Sequence, residues 1–146
     1  MSDNKINEKL NVTLANAIVT AQNQRRFHWY IKGDNFFKLH AKFEEYYDRF
    51  NEIIDEVAER ILMLDGAPLD SLSKALGTAM IKEDTQSNSP REMVESSLRD
   101  FEHQHGQIKE AIEMAESSGD RGTANLLDSI NDQLEKDIWM LKAFLA

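Results

Sequence analysis

Apolar residues recur along the chain at the three-to-four spacing of amphipathic helices, with almost none of the strict alternation that marks strands. The first such segment, about residues 4 to 31, carries Ile6, Leu10, Leu14, Ala17, Ile18 and Ala21 and ends before Gly33, which suits a left-handed helix stop. Asp34 or Asn35 is placed to cap a second helix, about 36 to 64, in which Phe36, Phe43, Phe50, Val57 and Leu64 repeat every seven residues with Tyr47, Ile54 and Ile61 between them. Asp65-Gly66-Ala67-Pro68 stops it. Residues 69 to 88 are more polar and predict a short crossover helix burying Leu69, Leu72 and Leu76, then a loop from Thr85 to Ser89. Pro90 fits the first turn of a third helix, with Ser89 and Glu92 at capping-box spacing, and this helix runs to about Ser117. After a turn at Ser118 to Gly122, a fourth long helix from about Thr123 carries Leu126, Leu127, Ile130, Leu134, Ile138, Leu141 and Leu145. Two helical hairpins joined by one long connection form an all-α up-down bundle with a single crossover, expected to be one domain over residues 1–146.

Composition narrows the chemistry. With no cysteine among 146 residues, the chain excludes disulfides, thiol nucleophiles, iron–sulfur clusters and thiolate zinc sites, so a metal must be held by imidazole and carboxylate. A net charge of −9, from 26 acidic and 17 basic residues, with no gathered basic arm, opposes binding to a nucleic-acid backbone. No apolar run is long enough to span a bilayer, and the opening MSDNKINEKL lacks the apolar core of a secretory signal. A cytoplasmic location is expected, without membrane attachment.

The second helix divides by face. At about 100° per residue, the apolar heptad residues face the bundle, while Lys38, Lys42, Arg49 and Arg60 mix with Glu45 and Glu56 as an ordinary solvated face. A third face carries Phe37, His40, Ala41, Glu44, Asp48, Asn51, Asp55, Ala58, Glu59 and Leu62, without lysine or arginine. Acidic helix stripes are ordinarily just solvated. Here apolar residues on the same flank point to contact with another protein surface, where unneutralised carboxylates are costly unless a cation compensates.

His40 with Glu44, and Asp55 with Glu59, stand at the four-residue spacing that lets two side chains share an ion, and His28 lies across the hairpin turn from His40. His40 and Asp55 are nevertheless about 22 Å apart on one rod at ~1.5 Å rise per residue. A second copy lying antiparallel across a two-fold axis brings its Asp55 and Glu59 opposite the first copy's His40 and Glu44, giving two equivalent sites. The expected donor set is therefore His28, His40 and Glu44 from one chain with Asp55 and Glu59 from its mate. Imidazole and carboxylate without sulfur suit Fe(II) and also admit Mn, Co or Zn.

The stretch FHWYIKGDNFFKLHAKFEEYYDRFNEIIDEVAERILMLDGAPL, Phe27 to Leu69, resembles the Dps-like mini-ferritins, and the four-helix layout agrees over essentially the whole chain. The resemblance implies a ferritin-like four-helix bundle with a short crossover helix, assembled as a hollow dodecamer with ferroxidase sites at two-fold interfaces. It further implies oxidation of Fe(II) to Fe(III), preferentially with hydrogen peroxide over dioxygen, and storage of ferric mineral in the cavity. His28 and His40 would bind iron directly, Asp55 and Glu59 would bind and bridge from the partner, and Glu44 would reach a second iron or its water. By the same resemblance Trp29 is placed to donate an electron to a stray radical, and iron-entry pores are lined by acids near the start of the last helix, with Asp120, Asp128 and Asp132 the candidates here. Members that coat DNA carry lysine-rich extensions, which this chain lacks, so DNA binding is not expected.

Three rival readings stand beside this one. A di-iron site inside each bundle would use Glu102 and His105, a single Glu-x-x-His pair, with Asp100 and His103 only approximating a second. The others are a non-enzymatic helical module docking a basic partner through the acidic stripe, and a nucleoid protein coating DNA.

Overall fold

The computed structural model describes residues 2–146 as five helices: α1 (Ser2–Tyr30), α2 (Phe36–Met63), α3 (Leu72–Thr78), α4 (Pro90–Ser117) and α5 (Arg121–Leu145). No strand occurs among the described residues, and none of their helices is long and apolar enough to cross a membrane. The hairpin α1–α2 packs beside the hairpin α4–α5, and the segment carrying α3 crosses between them along α1.

The turns follow local chemistry. Gly33 adopts φ 106°, open to a residue without a Cβ, and its carbonyl accepts from the Phe36 amide at 3.0 Å. Asn35 occupies the cap position of α2, but its side chain makes no cap bond, because its backbone (φ −98°, ψ 20°) is not the extended form that aims the side chain at the helix amides. At the other end of α2 the left-handed residue is Asp65 (φ 59°), not Gly66. Gly66 serves close approach instead: a Cβ there would meet the Asn7 side chain at 2.5 Å. The capping box of α4 forms as its sequence predicts, with the Glu92 amide donating to Ser89 Oγ at 3.2 Å and the Ser89 amide to Glu92 Oε1 at 3.1 Å.

Phe27, Phe43 and Phe101 are fully buried at the centre of the bundle. Phe101 of α4 meets the rings of Tyr46 at 5.0 Å and Phe50 at 5.3 Å, joining one hairpin to the other through α2. Between α1 and α4 the interior is a ladder of neutral polar pairs: Thr13 donates to Gln107, Gln104 to Thr20 and Gln24 to Ser97, each at 2.8 Å. Those neutral pairs occupy the inter-helix space that an in-bundle metal centre would need.

The crossover is not held by leucines. Leu72 and Leu76 are exposed, Leu69 is half-buried, and Ala75 is the residue α3 buries. Leu69 lies before α3, and Leu72 and Leu76, four residues apart, share its exposed side. Asparagines of α1 hold the segment instead, satisfying backbone groups that have no helical partner. Asn11 donates to the Ala67 carbonyl and accepts from the Leu69 amide, Asn16 accepts from the Met80 and Ile81 amides, and Asn23 donates to the Lys82 carbonyl and accepts from the Asp84 amide.

Asp84 then ties the loop to α4, accepting from the hydroxyls of Ser87 and Ser96, both at 2.6 Å, and from the amides of Gln86 and Ser87. Burial pushes its carboxyl up, but these bonds outweigh burial and hold it at about 2. A carboxyl lowered on folding stabilises above its unfolded value and loses that contribution as pH falls through the folded one. Asp84→Ala is therefore expected to cost about 2 kcal/mol at pH 7, the scale of charge-assisted hydrogen bonds lost. In urea titrations the gap from wild type should narrow between about pH 4 and pH 2; a gap independent of pH would contradict this assignment.

Candidate metal centre

The α1–α2 turn returns the chain sharply enough to set His28, in the last turn of α1, against His40, in the second turn of α2. The imidazoles stack with centroids 3.7 Å apart and planes within 12°. Each reaches across to the other residue's backbone, His28 Nδ1 to the His40 carbonyl and His40 Nδ1 to the His28 carbonyl, both at 2.7 Å. A carbonyl oxygen only accepts, so each Nδ1 carries a proton and donates, which leaves Nε2 as the nitrogen able to offer a lone pair. This reciprocal lock fixes tautomer and orientation together, as hydrogen bonds behind metal-binding histidines do.

The lock is extended on both sides. Phe36 stacks on the outer face of His40 at 4.8 Å, and Tyr47 meets His28 edge-on at 5.4 Å. Each imidazole lone pair lies in its own ring plane, so a metal bound in the plane of one ring lies well off the plane of the other. The two Nε2 lone pairs therefore lie in nearly parallel planes and do not converge on one point. Glu44 Oε1 stands 3.6 Å from His28 Nε2, beside the pair but too far for a hydrogen bond, and remains exposed.

The carboxylates of α2 fall into two groups. On the solvated face Glu45 pairs with Lys42 at 2.8 Å, and Glu52 and Glu56 pair with Arg49 at 3.3 and 3.7 Å. On the other face Glu44, Asp48, Asp55 and Glu59 have no lysine or arginine within ion-pair distance among the described residues, and all four are exposed. Phe37 on this face is 85% exposed and Leu62 59%. The Tyr47 hydroxyl is pushed up by burial and then by the charges of Glu44 and Asp48, with Arg25 opposing.

Thus the fold unites His28, His40 and Glu44 at the hairpin turn and leaves Asp55 and Glu59 farther along α2. Among the described residues, no three histidine, aspartate or glutamate side chains of one chain are grouped closely enough to hold a metal ion.

Several other sequence expectations find different structures. Arg60 is not merely solvated: its Nε donates to Thr123 Oγ1 at 2.9 Å and its Nη2 to Asp120 Oδ1 at 3.0 Å, closing α2 onto α5. Asp120 is correspondingly spent as the α5 cap, accepting from the Thr123 amide and hydroxyl, whereas Asp128 and Asp132 are exposed. Burial pushes the Asp120 carboxyl up, but the bonds from Thr123 and Arg60 prevail and hold it below the usual range. Glu102 and His105 form no in-bundle centre. Glu102 is exposed near Lys142 at 3.5 Å, His105 pairs with Glu135 of α5 at 2.8 Å, and His103 is exposed. Trp29, beside His28, is 61% exposed.

Arg25 is the feature that helix-by-helix reading missed. It comes from α1 and lies 4.8 Å over the Tyr47 ring, placing a cation at the edge of the acidic face. Its seven-residue spacing from Ile18, which packs against the core, is the available sequence signal.

Bundle, crossover and hairpin-turn histidines together define a ferritin-like domain, and the ferritin-like domain family matches residues 7–146. The DNA protection during starvation protein of Brevibacillus brevis is 44% identical over 136 residues, covering 93% of this chain and 91% of that one. General stress protein 20U of Bacillus subtilis is 38% identical over 138 residues, covering 94% and 95%. The crystal structure of the Dps protein from Vibrio cholerae O1, described as a member of a broad superfamily of ferritin-like diiron-carboxylate proteins, superposes with a TM-score of 0.97 at 41% identity over 99% of this chain and 91% of that one. The chain belongs to the Dps-like mini-ferritins.

Proposed function

We propose that this chain, acting as one domain, is an iron-oxidising and iron-storing ferroxidase whose sites are completed between two copies. Each site takes His28, His40 and Glu44 from one protomer and the partner's Asp55 and Glu59, with Fe(II) as substrate. The observation that carries the reading is the locked histidine pair, beside one end of a carboxylate face that has no cationic partner of its own. Histidine nitrogen and carboxylate oxygen form a donor set suited to ferrous iron, and a negative face draws the cation in.

Two ferrous ions held side by side can each give one electron to a single hydrogen peroxide. Its O–O bond breaks, both oxygens leave as hydroxide or water, and two ferric ions remain. Because both electrons arrive together, no hydroxyl radical is released. Hydrolysis of the ferric product yields an oxyhydroxide and releases protons, and a hollow dodecameric shell in the cytoplasm would retain that mineral. Dioxygen is the slower oxidant in this reading.

Protection is then chemical. Relatives carry DNA protection in their names, but here a net charge of −9 and the dispersed basic residues oppose a phosphate surface. Plasmid DNA is expected to migrate unretarded; retardation that weakens steeply with salt would favour the DNA-coating reading.

Anaerobic Fe(II) loading followed by peroxide, with the mass of the assembly measured in the same sample, tests the proposal. The expected result is stoichiometric Fe(II) binding and rapid oxidation within a closed oligomer. Monomers without rapid oxidation would contradict it.

A further inference from the structure

Arg25 stands apart from the other arginines of the α1–α2 hairpin. Arg49 pairs with Glu52 and Glu56, Arg60 pairs with Asp120, and Arg26 donates to the carbonyls of Ser87 and Thr85. Arg25 has no carboxylate within ion-pair distance among the described residues. Its guanidinium instead lies 4.8 Å over the Tyr47 ring, and its Nη1 donates to Gln22 Oε1 at 3.2 Å. A ring face and an amide oxygen both attract a cation, but neither carries a net charge that would cancel it.

The held charge stands next to the locked histidines. Arg25 and His28 are three residues apart on α1, the spacing of neighbours on one helix face. The Tyr47 ring that carries Arg25 also meets the His28 ring, and the two centroid distances, 4.8 and 5.4 Å, bound the guanidinium carbon within about 10 Å of that imidazole. Had Arg25 paired with Glu44 or Asp48, it would have occupied a carboxylate of the face that draws iron. Resting on Tyr47, it leaves both acids open and still adds its charge to the field of the site.

We propose that Arg25 is a tethered counter-charge that limits how tightly the site holds iron, ferric more than ferrous, and so clears it between turnovers. The proposal rests on the iron-site reading and adds a residue that tunes it. A fixed cation at this range raises the energy of a site occupied by a divalent ion. Fe(III) carries three charges against two for Fe(II), so the same cation penalises the oxidised product more than the substrate. The product is thereby displaced toward the mineral and the site accepts fresh Fe(II).

Arg25→Gln removes the charge and Arg25→Lys keeps it. Both are prepared as the full assembly and matched to the unsubstituted protein in helicity and mass. In anaerobic titrations at about 50 mM salt, Arg25→Gln is expected to bind Fe(II) about three- to tenfold more tightly than the unsubstituted protein, with Arg25→Lys within about twofold of it. At about 1 M salt, where the screening length falls to about 3 Å, the gap should shrink below about twofold. Redox-inert Zn(II) should show the same ordering. When Fe(II) and peroxide are added a second time, Arg25→Gln should oxidise the new iron more slowly than in its first round, while the unsubstituted protein keeps its rate.

The sign of the binding change is decisive. A residue that only braced the aromatic stack would loosen His28 when replaced, and iron would bind more weakly. Unchanged or weaker binding in Arg25→Gln, an Arg25→Lys variant that behaves like Arg25→Gln, or an unslowed second round would each overturn the proposal. The unsubstituted protein separates this claim from the one beneath it. If it binds no Fe(II), the ferroxidase reading falls; if it binds normally and Arg25→Gln does not bind more tightly, only the role of Arg25 is removed.

Discussion

His40→Ala is expected to weaken Fe(II) binding at least ~100-fold and to abolish rapid peroxide-driven oxidation, and Asp55→Ala is expected to do the same. Altering a group behind a metal ligand typically costs 10–100-fold, and loss of a ligand costs no less. The His40 substitution is informative because it spares the backbone. The His40 carbonyl still accepts from His28 Nδ1, so His28 stays oriented and the loss reports the missing imidazole. Equality of the two defects is the informative outcome, since the residues stand about 22 Å apart along one helix. Glu113→Ala, an exposed acid on α4, serves as the comparison and should bind iron as wild type does. Isothermal titration under argon measures all three; unchanged binding in Asp55→Ala would remove that residue from the site.

The second large effect concerns stability. Phe101 has no exposed surface and its ring packs on Tyr46 and Phe50, the main aromatic bridge from α4 to α2. Phe101→Ala is expected to destabilise the fold by about 3–5 kcal/mol, the sum of lost apolar burial and the cavity left between α4 and α2. Urea unfolding at fixed protein concentration measures the loss, because assembly makes apparent stability depend on concentration. A cost below about 1 kcal/mol would mean that the bundle does not pack around Phe101 as described.

Much of the architecture could be read directly from local chemistry. Gly33 and the Ser89-to-Glu92 box mark helix ends because their signals act within a few residues, and both appear where the sequence places them. The heptad seam of α2 was legible for the same reason, although the buried side turns toward Leu39, Tyr46 and Ile53 and leaves Tyr47 and Ile54 half-buried. Periodicity sets the direction of the core only to within the width of one side chain.

Features built from two distant segments were not legible. Leucine content made α3 look buried, whereas Asn11, Asn16 and Asn23 of α1 hold the crossover through its backbone, a role no helix wheel assigns to asparagine. Arg60 looked solvated until α5 supplied Asp120 and Thr123. At the candidate centre, spacing along α2 singled out His40, Glu44, Asp55 and Glu59, and the glycine turn brought in His28. The reciprocal bonds between imidazoles and carbonyls depend on how tightly that turn closes, which spacing alone does not specify. Residues 28 and 40 could be foreseen as neighbours, but not their tautomers.

Co-assembly of His40→Ala with Asp55→Ala subunits examines shared sites most directly. Neither variant alone should oxidise ferrous iron rapidly. When equal amounts are dissociated and reassembled together, half of the dimers are mixed, and each mixed dimer holds one site with both defects and one with none. About one quarter of wild-type peroxide-driven oxidation should therefore return. If the mixture stays as inactive as its components although mixed dimers have formed, the donor groups do not come from two protomers and the proposed site is wrong.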